Sequence, residues 1–311
     1  MPIQETDPVK TPGLIVPPLT PFKTDQQVDY TCLQQQIDYV VHDCNAAMVV
    51  AGGVEAQEYH YLSLAERKEL VRKTVEFTGR RTQVAVGISH PNFRTAIELA
   101  HLAQDLQADA VQLLVPLRPF GGEPTTADMI AYFEAVSRET SLPVLLYINP
   151  GPGANVSVAA TVELAKLPAV RFVKESSRDL SRVGQLIMEV EKAGHARYYT
   201  TMQMLLITLM LGGSGATLPP PGAYLANKIV KAFMDGAYTE AARLQSQFCL
   251  FPAKWMHRGL TPTLKAAMEI LGRPCGNPFP PYAPLPLEEK EALRQYLLGT
   301  DLMQVKEKNL A

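Results

Sequence analysis

The sequence predicts a (β/α)8 (TIM) barrel with a C-terminal helical extension. Three observations carry that expectation. Short runs rich in Val, Leu and Ile recur through the first 221 residues, and each is closed by Gly, Pro, Ser or Thr. Segments of helical periodicity lie between them. From one run to the next the starts are 27 to 37 residues apart, and 18 at the last step. About thirty residues suit a strand, a loop and a crossover helix.

The runs, in order, are GLIVPPLTPF (13–22), AAMVVAGG (46–53), QVAVGIS (83–89), AVQLLVP (110–116), PVLLYINP (143–150), VRFVKES (170–176), RYYTT (197–201) and GATLPPP (215–221). They are continuous rather than alternating, which suits parallel strands covered on both faces. Between them, residues 62–79 open with Ser63 and, three residues on, Glu66, a capping box, and close at Gly79. Residues 92–107 and 126–140 show the same helical period. Against a doubly wound open sheet, eight units overfill it and no GxGxxG follows the first strand.

Three segments follow: a flexible lead at 1–12, the barrel at 13–224, and a helical region at 225–311. In the last, the proline-rich 272–286 reads as an extended connector to a final helix at 287–299, and 300–311 as a fraying tail.

Composition narrows the class. Lys+Arg 29 against Asp+Glu 31 leaves a net charge of −2 with no basic stripe, which argues against nucleic acid or an anionic membrane as partner. Cys32, Cys44, Cys249 and Cys275 are too scattered for a zinc ribbon or a redox pair and read as reduced thiols. Met1–Pro12 lacks the apolar core of a signal peptide, and no apolar run reaches the ~20 residues of a membrane span. The expectation is a soluble, cytoplasmic protein. His42, His90 and His195 show no metal-ligand spacing.

In such a barrel, reactive groups sit at the C-terminal ends of strands. Strand six ends in Lys174, which shares parity with Val170 and Phe172 and is expected to point inward with them. Desolvation disfavours an interior ammonium, and a neutral amine can attack a ketone to form an imine. The competing reading is an ion pair with Glu175 or Asp179. Tyr147 closes strand five, where a phenol could move protons or simply pack. The glycines at 52–53 and 212–215 could offer backbone N–H groups to a carboxylate or phosphate.

The ordered set VPPLTPF, GG…E…YLS, LLYINP, FVKES and GGSGAT resembles the dihydrodipicolinate synthase / N-acetylneuraminate lyase family of class I, Schiff-base aldolases. The likeness covers roughly residues 12–275, and its specific part is the lysine 27 residues beyond the tyrosine. It implies an imine between Lys174 and pyruvate or another 2-oxo acid, with Tyr147 as acid and base. It also implies a carboxylate bordered by backbone groups at Gly53 and Val54 together with Thr200 and Thr217. No metal or organic cofactor is implied, and the assembly would be a homo-oligomer, a tetramer or dimer. This chain departs from the family pattern in three places. The strand-two loop, usually Gly-Thr-Thr-Gly-Glu, here reads GGVEAQEYHYLS, without threonine and with two extra residues. Paired tyrosines after strand four are replaced by RPFGG, at Phe120 and Gly121, and the arginine after the YN.P turn is missing from INPGPGANVS.

Glu55, Gln57, Glu58, Tyr59 and His60 are candidates for a substitute proton relay or for contact with a different second substrate. The expected function is therefore that of a lyase or aldolase acting on a 2-oxo acid. Alternatives are an aldolase or dehydratase for a 2-keto-3-deoxy sugar acid, a non-catalytic 2-oxo acid binding barrel, and a metal-dependent barrel lyase.

Overall fold

A computed structural model describes residues 13–56, 58–117 and 122–304. The expectations placed on the lead 1–12, Gln57, Phe120, Gly121 and the last residues 305–311 lie outside the described residues.

Eight parallel strands close into a barrel in sequence order, β1 pairing with β8. They are β1 (Gly13–Val16), β2 (Met48–Ala51), β3 (Gln83–Gly87), β4 (Ala110–Leu114), β5 (Val144–Ile148), β6 (Val170–Glu175), β7 (Arg197–Thr200) and β8 (Gly215–Thr217). The barrel axis is filled by Ile15, Met48, Val50, Ala85, Ala110, Leu145, Phe172 and Tyr199. Outward-facing residues such as Val86, Val111, Leu146 and Val173 pack against the helical ring, so both faces of the sheet are buried.

The helix between β2 and β3, α2 (Leu64–Thr78), follows its sequence signals closely. Ser63 and Glu66 form the reciprocal capping box, and Gly79 ends the helix at φ 56°. The next crossovers are α1 (Tyr30–Asp38) before β2, α3 (Phe93–Asp105), α4 (Thr126–Ser137), α5 (Val158–Ala165), α6 (Leu180–Leu186) and α7 (Leu205–Leu211).

Four expectations need correction. First, Val170 does not share the interior face with Phe172 and Lys174. A bulge in β6 opposes Val144 to Val170 and Leu145 to Phe172, skipping Arg171, and Val170 turns out into the helical layer. Second, the barrel does not end at 224. Pro220 and Pro221 open α8 (Pro220–Met234), since proline suits the first turn of a helix, and the helical extension begins after Met234. Third, Gly212–Ser214 precedes β8 and Gly215 opens it, so these glycines lie at the N-terminal face, opposite Lys174. Gly212, at φ 88°, caps α7, and a Cβ on Gly215 would fall 2.0 Å from the Gly13 carbonyl oxygen. Fourth, residues 300–304 are tied down. Asp301 accepts from Lys228 and Arg243, its backbone N–H reaches Gln247, and Leu302 is buried.

The extension comprises α9 (Tyr238–Ser246), α10 (Leu260–Ile270) and α11 (Leu287–Leu298). Its connector, 272–286, runs back to the barrel mouth, where Lys265 of α10 pairs with Glu58 of the strand-two loop at 3.1 Å. Lys265 also donates to the Asn277 carbonyl, and the Phe279 N–H donates to Glu58. Both ions are buried. Removing one partner of such a pair strands the other charge. Lys265→Ala is expected to cost about 3–5 kcal/mol, read from urea unfolding, whereas Lys265→Met combined with Glu58→Gln recovers most of that loss.

Candidate active site

Lys174 is 2% exposed and points along the barrel interior. Its Nζ donates to the Thr200 carbonyl at 2.9 Å and lies 3.5 Å from that of Thr217. Among the described residues no carboxylate stands within ion-pair distance of it. The two acids that might have paired with it are committed elsewhere. Glu175, of opposite parity, faces the helical layer, where it accepts from Arg182 Nε at 3.0 Å and from the Tyr198 hydroxyl at 3.1 Å. Asp179 caps α6 by accepting from the Ser181 and Arg182 N–H groups. Burial pushes the Lys174 amine down to about 8, while the charges of Glu55 and Glu175 hold it up.

Tyr147 is the register partner of Lys174 on β5 and is buried. Its hydroxyl accepts from Asn149 Nδ2 at 2.8 Å. Burial, then the charge of Glu55, drives the phenol far above its ordinary value, and hydrogen bonds with Ser176 and Asn149 pull the other way. The phenol is therefore protonated in the resting site.

The strand-two loop lies over this pair. Val54 and Tyr59 pack with Leu114 and Tyr147 in one buried cluster. The close approach is possible because β3 ends in glycine: a Cβ on Gly87 would fall 2.3 Å from the Gly52 carbonyl oxygen. Arg67, buried in the first turns of α2, stacks 4.0 Å over the Tyr59 ring and donates to the carbonyls of Gly87 and Ser89.

Gln112 is the residue that sequence reasoning missed. It is fully buried on β4, accepts from the Val54 N–H at 3.2 Å, and donates through Nε2 to both Glu55 carboxylate oxygens at 3.0 and 3.2 Å. Its signal was a single amide side chain inside the apolar run AVQLLVP. Burial raises the Glu55 carboxyl, and Lys174 and Gln112 oppose that rise.

The sequence-derived candidates thus divide. Lys174, Tyr147, Glu55, Val54 and Tyr59 belong to one cluster of contacts and charges. Glu58 turns away to Lys265, and burial raises it to about 7. The Thr200 hydroxyl faces Thr208 at 2.7 Å, so only its carbonyl meets the lysine. The Val54 N–H is already used by Gln112. Gly53 sits beneath Glu55, whose Oε2 would be 3.0 Å from a Cβ there. Thr217 and its neighbour in space Thr201 present buried hydroxyls without a hydrogen-bond partner. Among the described residues no three His, Cys, Asp or Glu side chains are grouped to hold a metal, and no helix is long and apolar enough to cross a membrane.

A closed parallel (β/α)8 barrel with polar groups gathered at its C-terminal strand ends defines a class of barrel enzymes, and comparison with known proteins narrows it. Residues 10–299 match the dihydrodipicolinate synthetase family, and the chain belongs to it. It is 30% identical over 281 residues to 4-hydroxy-tetrahydrodipicolinate synthase 1 of Halalkalibacterium halodurans, covering 88% of this chain and 92% of that one. The Bacillus subtilis 4-hydroxy-tetrahydrodipicolinate synthase is 29% identical, with 88% and 94% covered. Among solved structures, YagE of E. coli K12, a prophage protein of the dihydrodipicolinic acid synthase family in complex with pyruvate, superposes with a TM-score of 0.85. It shares 26% identity over 92% of this chain and 97% of its own. N-acetylneuraminate lyase of Mycoplasma synoviae shares the fold, with a TM-score of 0.79, 22% identity, and 94% and 98% covered. The protein is an enzyme of the lyase type.

Proposed function

We propose that this lyase forms a Schiff base between Lys174 and pyruvate or another 2-oxo acid. The observation that carries the reading is a buried amine held by backbone carbonyls and no carboxylate, in a site that favours its neutral form. A neutral amine has two N–H donors and one lone pair. It can serve both carbonyls and still direct the pair at a ketone carbon.

In the first step the Nζ lone pair attacks C2, and the carbonyl π electrons move to oxygen, which takes a proton. Nitrogen loses its own proton, the hydroxyl leaves as water with a proton from Tyr147, and an iminium remains. The cationic nitrogen then accepts the electron pair released when C3 loses a proton or a carbon–carbon bond breaks. The Thr201 and Thr217 hydroxyls, buried and unpartnered, are suited to donate to the substrate carboxylate, beside the backbone at Gly53.

The family resemblance also implies a homo-oligomer. Leu180 on α6, Met188 in the π-helical turn that follows it, and Met210 and Leu211 on α7 are exposed and suit a face that self-association would cover. Sedimentation is expected to give a dimer or tetramer mass.

Borohydride with pyruvate is expected to add the reduced three-carbon adduct to Lys174, located by peptide mass, and Lys174→Arg to abolish it. An unmodified wild type across a panel of 2-oxo acids overturns the reading. The attacking species is the deprotonated amine, whose fraction grows with pH, so the initial trapping rate is expected to rise through a midpoint near 8. Tyr147→Phe, measured by the same trapping, is expected to slow formation of the imine by about 10²–10⁴-fold.

A further inference from the structure

We infer that Gln112 is a positioning residue that holds Glu55 as the proton-transfer partner of Tyr147, in place of a threonine relay. The inference rests on the Schiff-base reading above. Three contacts carry it. The Gln112 amide accepts from the loop backbone at Val54 and donates to both oxygens of the adjacent Glu55. One side chain therefore fixes both the loop's height above the barrel and the carboxylate's direction. A planar amide wholly inside the barrel keeps few alternative rotamers, so the carboxylate is held rather than merely allowed.

The groups that face Glu55 show what the arrangement serves. Lys174 feels its charge from β6, Tyr147 from β5, and Tyr59 from the loop itself. The carboxylate thus stands within electrostatic reach of both the amine and the phenol. Once the iminium has formed, loss of a C3 proton leaves its electron pair as the C2=C3 bond and neutralises nitrogen. The proton passes to the Tyr147–Glu55 pair and returns by the same route. The Gln112 N–H groups stabilise the charged carboxylate, so without them its pKa rises and the base form is lost over a wider acid range.

The test uses pyruvate itself, as exchange of its methyl protons for deuterium followed by NMR, with borohydride trapping at Lys174 on the same samples. Gln112→Met keeps length and volume but donates nothing; Glu55→Gln keeps the contact but carries no proton. Both are expected to trap pyruvate at saturation as wild type does, which also reports an intact barrel. Both are expected to exchange the methyl protons at least tenfold more slowly, within the usual span of acid–base catalysis at about 10²–10⁴. In Gln112→Met the acid limb of the exchange profile is expected to move to higher pH, a shift that loosened packing alone would not produce. If wild type traps and exchanges while Gln112→Met matches it in rate and limb, the positioning role is overturned and the Schiff base stands. If Glu55→Gln exchanges normally, Glu55 is not the partner. Failure of wild type to trap removes the earlier reading instead.

Discussion

The structure depends on one constraint, a lysine amine taken wholly out of water with, among the described residues, no carboxylate at ion-pair distance. Closing eight strands leaves an interior that only side chains can fill, and Lys174 stands one layer above Phe172 in that interior. The outer layer removes the nearest acid, because Arg182 and Tyr198 engage Glu175 on the far side of β6. A shift from 10.5 to about 8 corresponds to roughly 3 kcal/mol of destabilisation of the ammonium relative to water. That destabilisation brings loss of the proton within reach of mildly alkaline pH, where an ordinary lysine stays fully charged. The fold tolerates the cost because two backbone carbonyls, on β7 and β8, satisfy the N–H groups.

Much of this was legible in sequence because it follows from local rules. Strand runs, the Ser63–Glu66 box and Gly79 each act within a few residues, and they landed where they were read. What escaped is non-local. The β6 bulge at Arg171 leaves Phe172 and Lys174 pointing inward while turning Val170 out, and no property of VRF announces an extra residue on one strand. Thr200 illustrates the same limit. Its place at a strand end suggests a hydroxyl for substrate, but it is of opposite parity to Tyr199, which faces the barrel interior, and so turns out to Thr208. Glycine pairs were read as anion loops, whereas Gly212 and Gly215 solve a helix cap and a close strand contact at the other end of the barrel.

The strand-two loop is where the C-terminal extension and the chemistry meet. At one end Glu58 is fixed by Lys265 and the Phe279 N–H, so the extension holds the loop down. At the other, Gly52 rests on Gly87 and Glu55 is grasped by Gln112. Tyr59, next to Glu58, is clamped beneath Arg67. A loop fixed at four points from different elements can carry a reacting group with the precision that proton transfer requires, which a free surface loop cannot. This also explains why two glutamates three residues apart take unlike roles: one faces α10 and the other faces the barrel axis.

A carboxyl group in a strand-two loop that holds no threonine changes the electrostatics as well as the geometry. A hydroxyl passes a proton without altering its neighbours' charge, whereas Glu55 in its charged form raises both the amine and the phenol it faces. Left alone, that charge would work against a neutral Lys174. Burial raises the Glu55 carboxyl, while Lys174 and the Gln112 amide oppose that rise. The amine, the phenol and the carboxyl are thus coupled, and whichever of them holds the proton sets the readiness of the other two. Under the proposed Schiff-base chemistry, a change at Gln112, which does not contact the lysine, is therefore felt at C3 proton removal rather than in the amount of imine formed at saturation.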